Sequence, residues 1–189
     1  MIDDEKLIEQ FVGSLNRSGL EPLFDDAVPP ELRTEEVSDV PGMYEWRILP
    51  AQPNPWVLAI RQKLPSPYPP LYEVLISRYR FAEFEIGPVL FLANTGTHVF
   101  NELADAAFRD KGLSPALLQN GLLQFGRQAG GHYDPVCFDM KRRLEDDAPI
   151  VQIDHECVLI EDRIRVVGEI APSFRAFVEA VIAGRWAKK

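Results

Sequence analysis

Two short polar stretches late in the chain carry residue types that could do acid-base or metal chemistry. Each stretch follows an apolar run typical of a strand, and each offers an imidazole beside carboxylates. The residues concerned are His132, Tyr133 and Asp134 in the first stretch and Asp154, His155 and Glu156 in the second. Side chains at strand ends are where binding and catalytic groups concentrate, so these six form the candidate site.

One hypothesis for this set is a metal-assisted hydrolase that uses His132, Asp134, Asp154, His155 and Glu156. Such a site needs about three ligands at roughly 2.0–2.2 Å from one ion. Neighbouring strand residues point to opposite faces, so the second stretch converges on an ion only where the chain turns. The competing interpretation is that the carboxylates cap turns and that the histidine is a hydrogen-bonded edge residue.

Other residues that could be reactive have a simpler interpretation. Val136 and Phe138 flank Cys137, whereas a nucleophilic thiol needs exposure and a positive setting, so a structural thiol is predicted. The glycine-rich stretch 126–131 contains no phosphate- or dinucleotide-binding pattern and is expected to be a hairpin loop, with positive φ at Gly130 and Gly131. No cofactor is predicted.

Several helices and strands must position the candidate site. Apolar residues at spacings of three and four predict a helix near the start of the chain that ends at Gly19, another that begins at Pro69-Pro70, and a third around Val99 to Ala107. They also predict a closing helix that begins near Pro172-Ser173, ends near Gly184 and includes Ile170 in its apolar pattern. Ser114 is the expected N-cap of a further helix. Short apolar runs predict strands at 81–86, 89–93, 122–125, 135–138, 150–153, 158–160 and 164–167.

The late strands follow one another without predicted helices, which indicates an antiparallel meander. The predicted fold class is therefore α+β: a mostly antiparallel sheet in the C-terminal half, packed by helices, with an N-terminal helix and a closing C-terminal helix. Residues 20–42 combine acids with four prolines, and their apolar residues follow neither the helical nor the strand period. An extended acidic connector is therefore expected there. The predicted units are 1–42, an acidic helix and connector, and 43–189, one α+β domain.

The charge is concentrated at one end of the chain. The whole sequence has 29 Asp and Glu against 20 Lys and Arg, a net charge of -9, and residues 1–42 contribute 11 acids against three bases, a net charge of -8. Such a balance disfavours nucleic-acid binding and favours a basic partner. The sequence has no apolar run of membrane-spanning length and starts with acidic residues, so a cytoplasmic protein without membrane contact is expected.

The order of the later elements resembles the SUKH superfamily. The resemblance rests on Leu64-Pro65-Ser66-Pro67-Tyr68 before an apolar helix, the glycine-containing loop at 121–131, the strands at 133–139 and 150–154, and Ile170-Ala171-Pro172-Ser173-Phe174 before the last helix. Members are compact α+β proteins, known as bacterial immunity proteins that bind toxins, with fungal relatives that act as scaffolds in cell-wall signalling. The resemblance implies a binding module without catalysis.

The leading functional hypothesis is thus a cytosolic, non-catalytic protein that neutralises a basic toxin domain by direct contact. The expected contact surface consists of Arg127, His132, Tyr133, Asp134, Asp154, His155 and Glu156. The alternatives are the metal-assisted hydrolase and a scaffold or ligand-binding adaptor with a pocket beside the sheet.

Overall fold

A computed structural model describes residues 3–51, 55–95 and 101–186. Val99 and Phe100, which belong to one predicted helix, lie outside the described residues. Within the described ranges, the helices are too short or too polar for any of them to cross a lipid bilayer.

The described residues form seven α-helices and eleven strands, numbered in chain order. The helices are α1 (Asp4–Ser18), α2 (Pro55–Lys63), α3 (Pro70–Arg78), α4 (Glu102–Phe108), α5 (Ser114–Gln119), α6 (His155–Glu161) and α7 (Phe174–Ile182). The strands are β1 (Leu23–Phe24), β2 (Arg33–Glu36), β3 (Met43–Trp46), β4 (Leu49–Pro50), β5 (Tyr79–Arg80), β6 (Phe84–Ile86), β7 (Val89–Phe91), β8 (Leu122–Gln128), β9 (Pro135–Asp139), β10 (Ile150–Ile153) and β11 (Val166–Ala171).

A six-stranded antiparallel sheet organises the molecule, with its strands in the order β6-β7-β8-β9-β10-β11. Each strand pairs with its neighbour in sequence, so the predicted meander and the α+β class are confirmed. At the β7–β8 contact, a Cβ on Gly126 would lie 2.7 Å from the Leu90 carbonyl oxygen, so glycine is needed for this approach. The loop between β8 and β9 has positive φ at Gly130 and Gly131, as predicted.

An aromatic core fills the space between this sheet and the helices α3 and α7. Tyr72 lies with its ring centroid 5.3 Å from that of Phe125 and 5.2 Å from that of Phe138, and the two phenylalanine rings stack at 4.3 Å. Phe174 meets Tyr72 edge-on at 5.3 Å. Ser173 accepts a hydrogen bond from the Ala176 N–H, which fixes the start of α7 as the sequence indicated.

The helix α1 belongs to this core. Its buried residues are Leu7, Ile8, Phe11, Val12 and Leu15. Asp4 forms an ion pair with Arg175 of α7, and Glu5 one with Arg78 of α3 at 2.5 Å. The N-terminal helix therefore packs on the rest of the chain through the apolar face that its periodicity predicts.

The expectation of an extended connector at residues 20–42 is wrong. The strands β1 and β2 both pair with β3 in a three-stranded antiparallel sheet. Val28 and Leu32 are buried in the main core, and the Trp46 indole N–H donates to the Glu21 carbonyl oxygen at 2.9 Å. Long-range pairing and burial thus order a segment that shows no local periodicity.

Three further local expectations are also wrong. Residues 158–160 were expected to form a strand but lie in α6, because Asp154 caps a helix in which Cys157 and Val158 face inward. Ser114 is not an N-cap; it lies in the first turn of α5 and donates to the Ala106 carbonyl oxygen. Ile170, which was assigned to the closing helix, belongs to β11, although the start of α7 after Pro172-Ser173 agrees with the prediction.

A second, smaller apolar cluster joins the sheet to α5 and α6. It consists of Leu117, Leu122, Cys137, Val151, Ile153 and Val158. Cys137 is fully buried and unbonded, and burial, with the nearby Asp139, raises the pKa of its thiol. The thiol therefore packs as a small apolar group, in agreement with the sequence interpretation.

Candidate functional site

A groove lies where α4, the start of α5 and α6 approach the strand β8. Its volume is about 310 Å³. The lining residues are Ala106, Asp110, Leu113, Gln124, Arg127, Tyr133, His155 and Leu159. Three of the seven residues predicted to form the contact surface, namely Arg127, Tyr133 and His155, therefore line one groove.

Asp134 lies behind the groove and holds His155 in place. Its Oδ1 lies 2.7 Å from His155 Nδ1 and also accepts from the backbone N–H of His155 at 3.1 Å. Its Oδ2 accepts from Gln152 Nε2 at 2.7 Å, and Gln152 in turn contacts Gln128 Oε1 at 2.8 Å. With the carboxylate ionised, Nδ1 carries the proton, which leaves Nε2 as the ring nitrogen for an outside partner.

This arrangement keeps Asp134 ionised. Partial burial raises the pKa of Asp134, but the hydrogen bonds from His155 and Gln152 outweigh burial, so the pKa lies below its usual range. The Tyr133 ring lies 6.1 Å from the imidazole, centroid to centroid. His155, oriented by Asp134, thus lies beside the Tyr133 ring on the groove wall.

Asp154 has a structural role at the start of α6. Its Oδ1 accepts from the Cys157 N–H at 2.9 Å, and its Oδ2 forms an ion pair with Arg165. The hydrogen bond from the Cys157 N–H and the contact with Arg165 lower the pKa of this carboxyl. Asp154 therefore caps α6, which agrees with the interpretation of this residue as a cap.

His132 and Glu156 stay outside the groove. Both are exposed, His132 in the loop between β8 and β9 and Glu156 in the first turn of α6. In the parts of the chain that the structure describes, no group of three or more His, Cys, Asp or Glu residues could hold a metal ion. The five residues of the hydrolase hypothesis thus do not converge.

Sequence reasoning missed Asp110, Gln124 and Leu159. Asp110 Oδ1 accepts from the N–H groups of Gly112 and Leu113, both at 3.0 Å, and this turn forms one wall. A Cβ on Gly112 would lie 2.9 Å from Leu159 Cδ2, so glycine allows the turn to approach α6. An Asp two residues before a Gly is a recognisable turn signal. Gln124 and Leu159 carry no such signal.

Two half-buried carboxyl groups, those of Glu83 and Glu102, interact electrostatically with Arg127. Burial, together with the charges of Glu83 and Asp105, raises the pKa of Glu102 to about 7, and burial also raises the pKa of Glu83. The positive charge of Arg127 opposes both shifts. Among the described residues, neither Glu83 Oε1 nor Glu102 Oε2 has a hydrogen-bond partner. Among the residues that the structure describes, Arg127 thus interacts with acidic groups without forming a close ion pair.

The arrangement offers an oriented imidazole, a guanidinium, an aromatic ring and apolar side chains at one accessible surface. Such a set can recognise a polar group and cover an apolar one. No protein-family model matches the chain, and a comparison with curated proteins found no significant match.

Proposed function

We propose that this chain is a cytosolic, non-catalytic protein-binding module that neutralises a cognate toxin by direct contact, as the resemblance to SUKH immunity proteins implies. The observation that carries the proposal is the composition of the groove and its rim. Tyr133 is 70% exposed, and on α6 Leu159 and Ile160 are 53% and 79% exposed. Tyrosine and arginine are enriched in binding hot spots, and exposed aliphatic side chains beside them are typical of interaction surfaces.

The acidic end of the chain supports a basic partner. Because α1 and the strands β1 and β2 pack on the body, their charges are held on an ordered part of the surface. Its exposed acids include Asp25, Asp26, Glu31 and Glu35. A fixed patch of one sign accelerates encounter with an oppositely charged protein by roughly 10- to 10³-fold at low salt.

The direct test is co-expression with the product of an adjacent toxin gene. We expect rescue of growth and a complex that survives size-exclusion chromatography. Leu159→Asp should weaken the complex by about tenfold or more, since it places a charge in a hot-spot region. Leu58→Asp is the matched control, because Leu58 of α2 is 57% exposed and lies outside the groove.

Equal effects of the two substitutions would place the contact elsewhere, and absence of any complex with an adjacent-gene product would contradict the proposal.

The contribution of charge is tested separately by the combined variant Asp25→Asn, Asp26→Asn, Glu31→Gln and Glu35→Gln. We expect it to bind more slowly at low salt with an unchanged dissociation rate. Substitution is preferable to deletion here, because α1 contributes to the core.

A further inference from the structure

The two edges of the six-stranded sheet differ in length and in cover. At one edge, β6 has three residues, and Trp46 packs against Phe84 with 6.4 Å between the ring centroids. Trp186 lies so close to the turn after β6 that a Cβ on Gly87 would be 2.7 Å from its ring. At the other edge, β11 has six residues, and none of the described strands pairs with its outer side. Of these two edges, β11 is thus the one open to an additional strand.

The open edge carries apolar side chains in contact with solvent. Val166 is 47% exposed and Val167 is 54% exposed, and Gly168 and Glu169 are also exposed. The strand contains no lysine or proline, the residues that commonly protect an edge. Two irregularities in its register with β10 bend the strand and limit how many residues can pair with a neighbour. This edge therefore offers a short contact with an apolar centre.

The charge at this edge distinguishes between partners. The chain has a net charge of -9, but residues 163–169 contain two arginines, Arg163 and Arg165, against one acid, Glu169. A basic protein is not attracted to such a segment. A second copy of this chain, in contrast, meets here a surface without the excess negative charge that keeps two copies apart elsewhere.

The order of the charges along the edge is self-complementary. The Arg165 carbonyl oxygen accepts from the Asp154 N–H at 2.9 Å, so the pairing with β10 extends to this residue. Arg165 and Glu169 lie equally far in sequence on either side of Val167. When two copies lie antiparallel about a two-fold axis near Val167, each arginine lies beside the glutamate of the other copy. An in-register parallel arrangement would bring like charges together.

Both charged groups can take a second partner. Arg165 forms an ion pair with Asp154, and Glu169 forms one with Arg142 at 2.5 Å, yet the Arg165 and Glu169 side chains remain 59% and 40% exposed. A guanidinium has five N–H donors, and a carboxylate has about four lone-pair sites. The contacts within the chain therefore leave capacity for a contact between copies.

We propose that this edge is a two-fold interface at which the β11 strands of two copies lie side by side in antiparallel orientation. Val166 and Val167 form its apolar centre, and Arg165 pairs with Glu169 of the second copy at both ends. The contact uses the open edge of both copies, so the assembly closes as a dimer. This inference concerns the chain alone and does not rest on the proposed function.

Sedimentation velocity of the full chain over a range of concentrations tests for the dimer. The interface is small, so we expect a concentration-dependent equilibrium between the monomer of 21.4 kDa and a species of twice that mass. A single species of 21.4 kDa up to the highest soluble concentration would overturn the proposal.

A charge at the centre of the interface locates the contact. Val167→Lys places two like charges near the axis and should weaken the dimer by about tenfold or more. Leu58→Lys is the matched control, because Leu58 is 57% exposed and lies on α2. A dimer that tolerates Val167→Lys, or one that both substitutions weaken alike, would contradict the placement.

Charge reversal tests the antiparallel orientation. Arg165→Glu and Glu169→Arg should each weaken the dimer several-fold, and the double variant should recover most of that loss. The ion pairs with Asp154 and Arg142 are lost in the double variant too, so only a contact between copies can be restored. A double variant that dimerises no better than the single ones would overturn the orientation.

Chemical crosslinking measures the same contact without adding a charge. Val167→Cys should give covalent dimers with a short bis-maleimide, because the two positions lie next to each other at the axis. The native Cys137 and Cys157 are both buried, and Leu58→Cys is the exposed control. Circular dichroism shows whether each variant is folded. Crosslinking of Val167→Cys no greater than that of the control would contradict the interface.

Discussion

The aromatic core and the groove lie against the same sheet but differ in how much apolar side-chain surface they leave exposed. In the core, rings contact one another at centroid distances such as 4.3 Å between Phe125 and Phe138, with the Tyr72 hydroxyl as a polar exception. In the groove, Leu159 is 53% exposed and Tyr133 is 70% exposed. The comparison teaches that packing determines stability in the core, while exposed apolar and aromatic surface marks the region available to a partner.

The largest expected effect comes from opening the core. Phe138→Ala should lower the free energy of unfolding by about 3–5 kcal/mol, because it leaves a cavity among rings that cannot collapse. Leu159→Ala in the groove should change it by about 0.5 kcal/mol or less, since this side chain is half exposed. Urea denaturation measures both, and similar losses would contradict the division into two regions.

The next-largest effect on stability concerns the hydrogen-bonded pair of Asp134 and His155. Asp134→Asn should lower the free energy of unfolding by about 1.5–3 kcal/mol at pH 7, because it weakens hydrogen bonds to an ionised carboxylate. The folded-state pKa of Asp134 lies below the unfolded value of about 3.9, so its contribution is full above that value and is lost as the pH falls through the folded pKa. Variant and parent should therefore converge in acid.

The control for this prediction is Asp146→Asn, in an exposed loop. It should leave the free energy of unfolding nearly unchanged at both pH values. A pH-independent loss in Asp134→Asn would show that shape rather than charge holds His155.

Glu102 should behave in the opposite way. The folded chain keeps its proton up to about pH 7, whereas an unfolded glutamate loses it near pH 4.3, so stability falls as the pH rises through this window. Glu102→Gln should abolish this pH dependence. It should raise the free energy of unfolding at pH 8 by about 1 kcal/mol, allowing for solvent screening. Thermal unfolding between pH 4 and pH 8 tests this, with exposed Glu9→Gln as control.

The smallest effect on the free energy of unfolding is expected at the Gln124 side chain, whose Oε1 has no partner among the described residues. Gln124→Met removes a hydrogen bond from Nε2 to the Gly126 carbonyl oxygen but also removes the unsatisfied Oε1, so the change should stay within about 0.5 kcal/mol. Asn94→Leu is the matched contrast, because the Asn94 amide donates to Ile76 at 2.7 Å and Tyr79 at 3.2 Å. A loss of about 1–3 kcal/mol is expected there. Equal costs would show that Gln124 is a satisfied structural residue.

Sequence patterns predicted the helices with an apolar period and the strands that are short apolar runs. The helices α3 and α7 repeat apolar residues at helical spacing, and β8, β9 and β10 are apolar runs that are buried over most of their length; these elements were found. The failures share a physical cause. In α6, the run Val158-Leu159-Ile160 looks like a buried strand, but only the first of these residues is buried, since exposed apolar residues carry no period.

The candidate site was predicted in part for a related reason. Tyr133, Asp134 and His155 follow strands and were identified from that position, and Arg127 from the neighbouring hairpin. Gln124 lies on β8 close to Arg127 but has no local signal, and Asp110 comes from another part of the chain, so that only the packing of α4 and α5 on β8 brings it to the same groove. No local pattern encodes a meeting of segments that distant.

The ion pair between Asp4 and Arg175 has a kinetic consequence. It joins residues 171 positions apart, whereas every strand of the six-stranded sheet pairs with its sequence neighbour. Closing so long a loop carries a large entropic penalty before any contact compensates it. We therefore expect the hairpins of the sheet to assemble early and α1 to dock late, so that the transition state for folding lacks this helix.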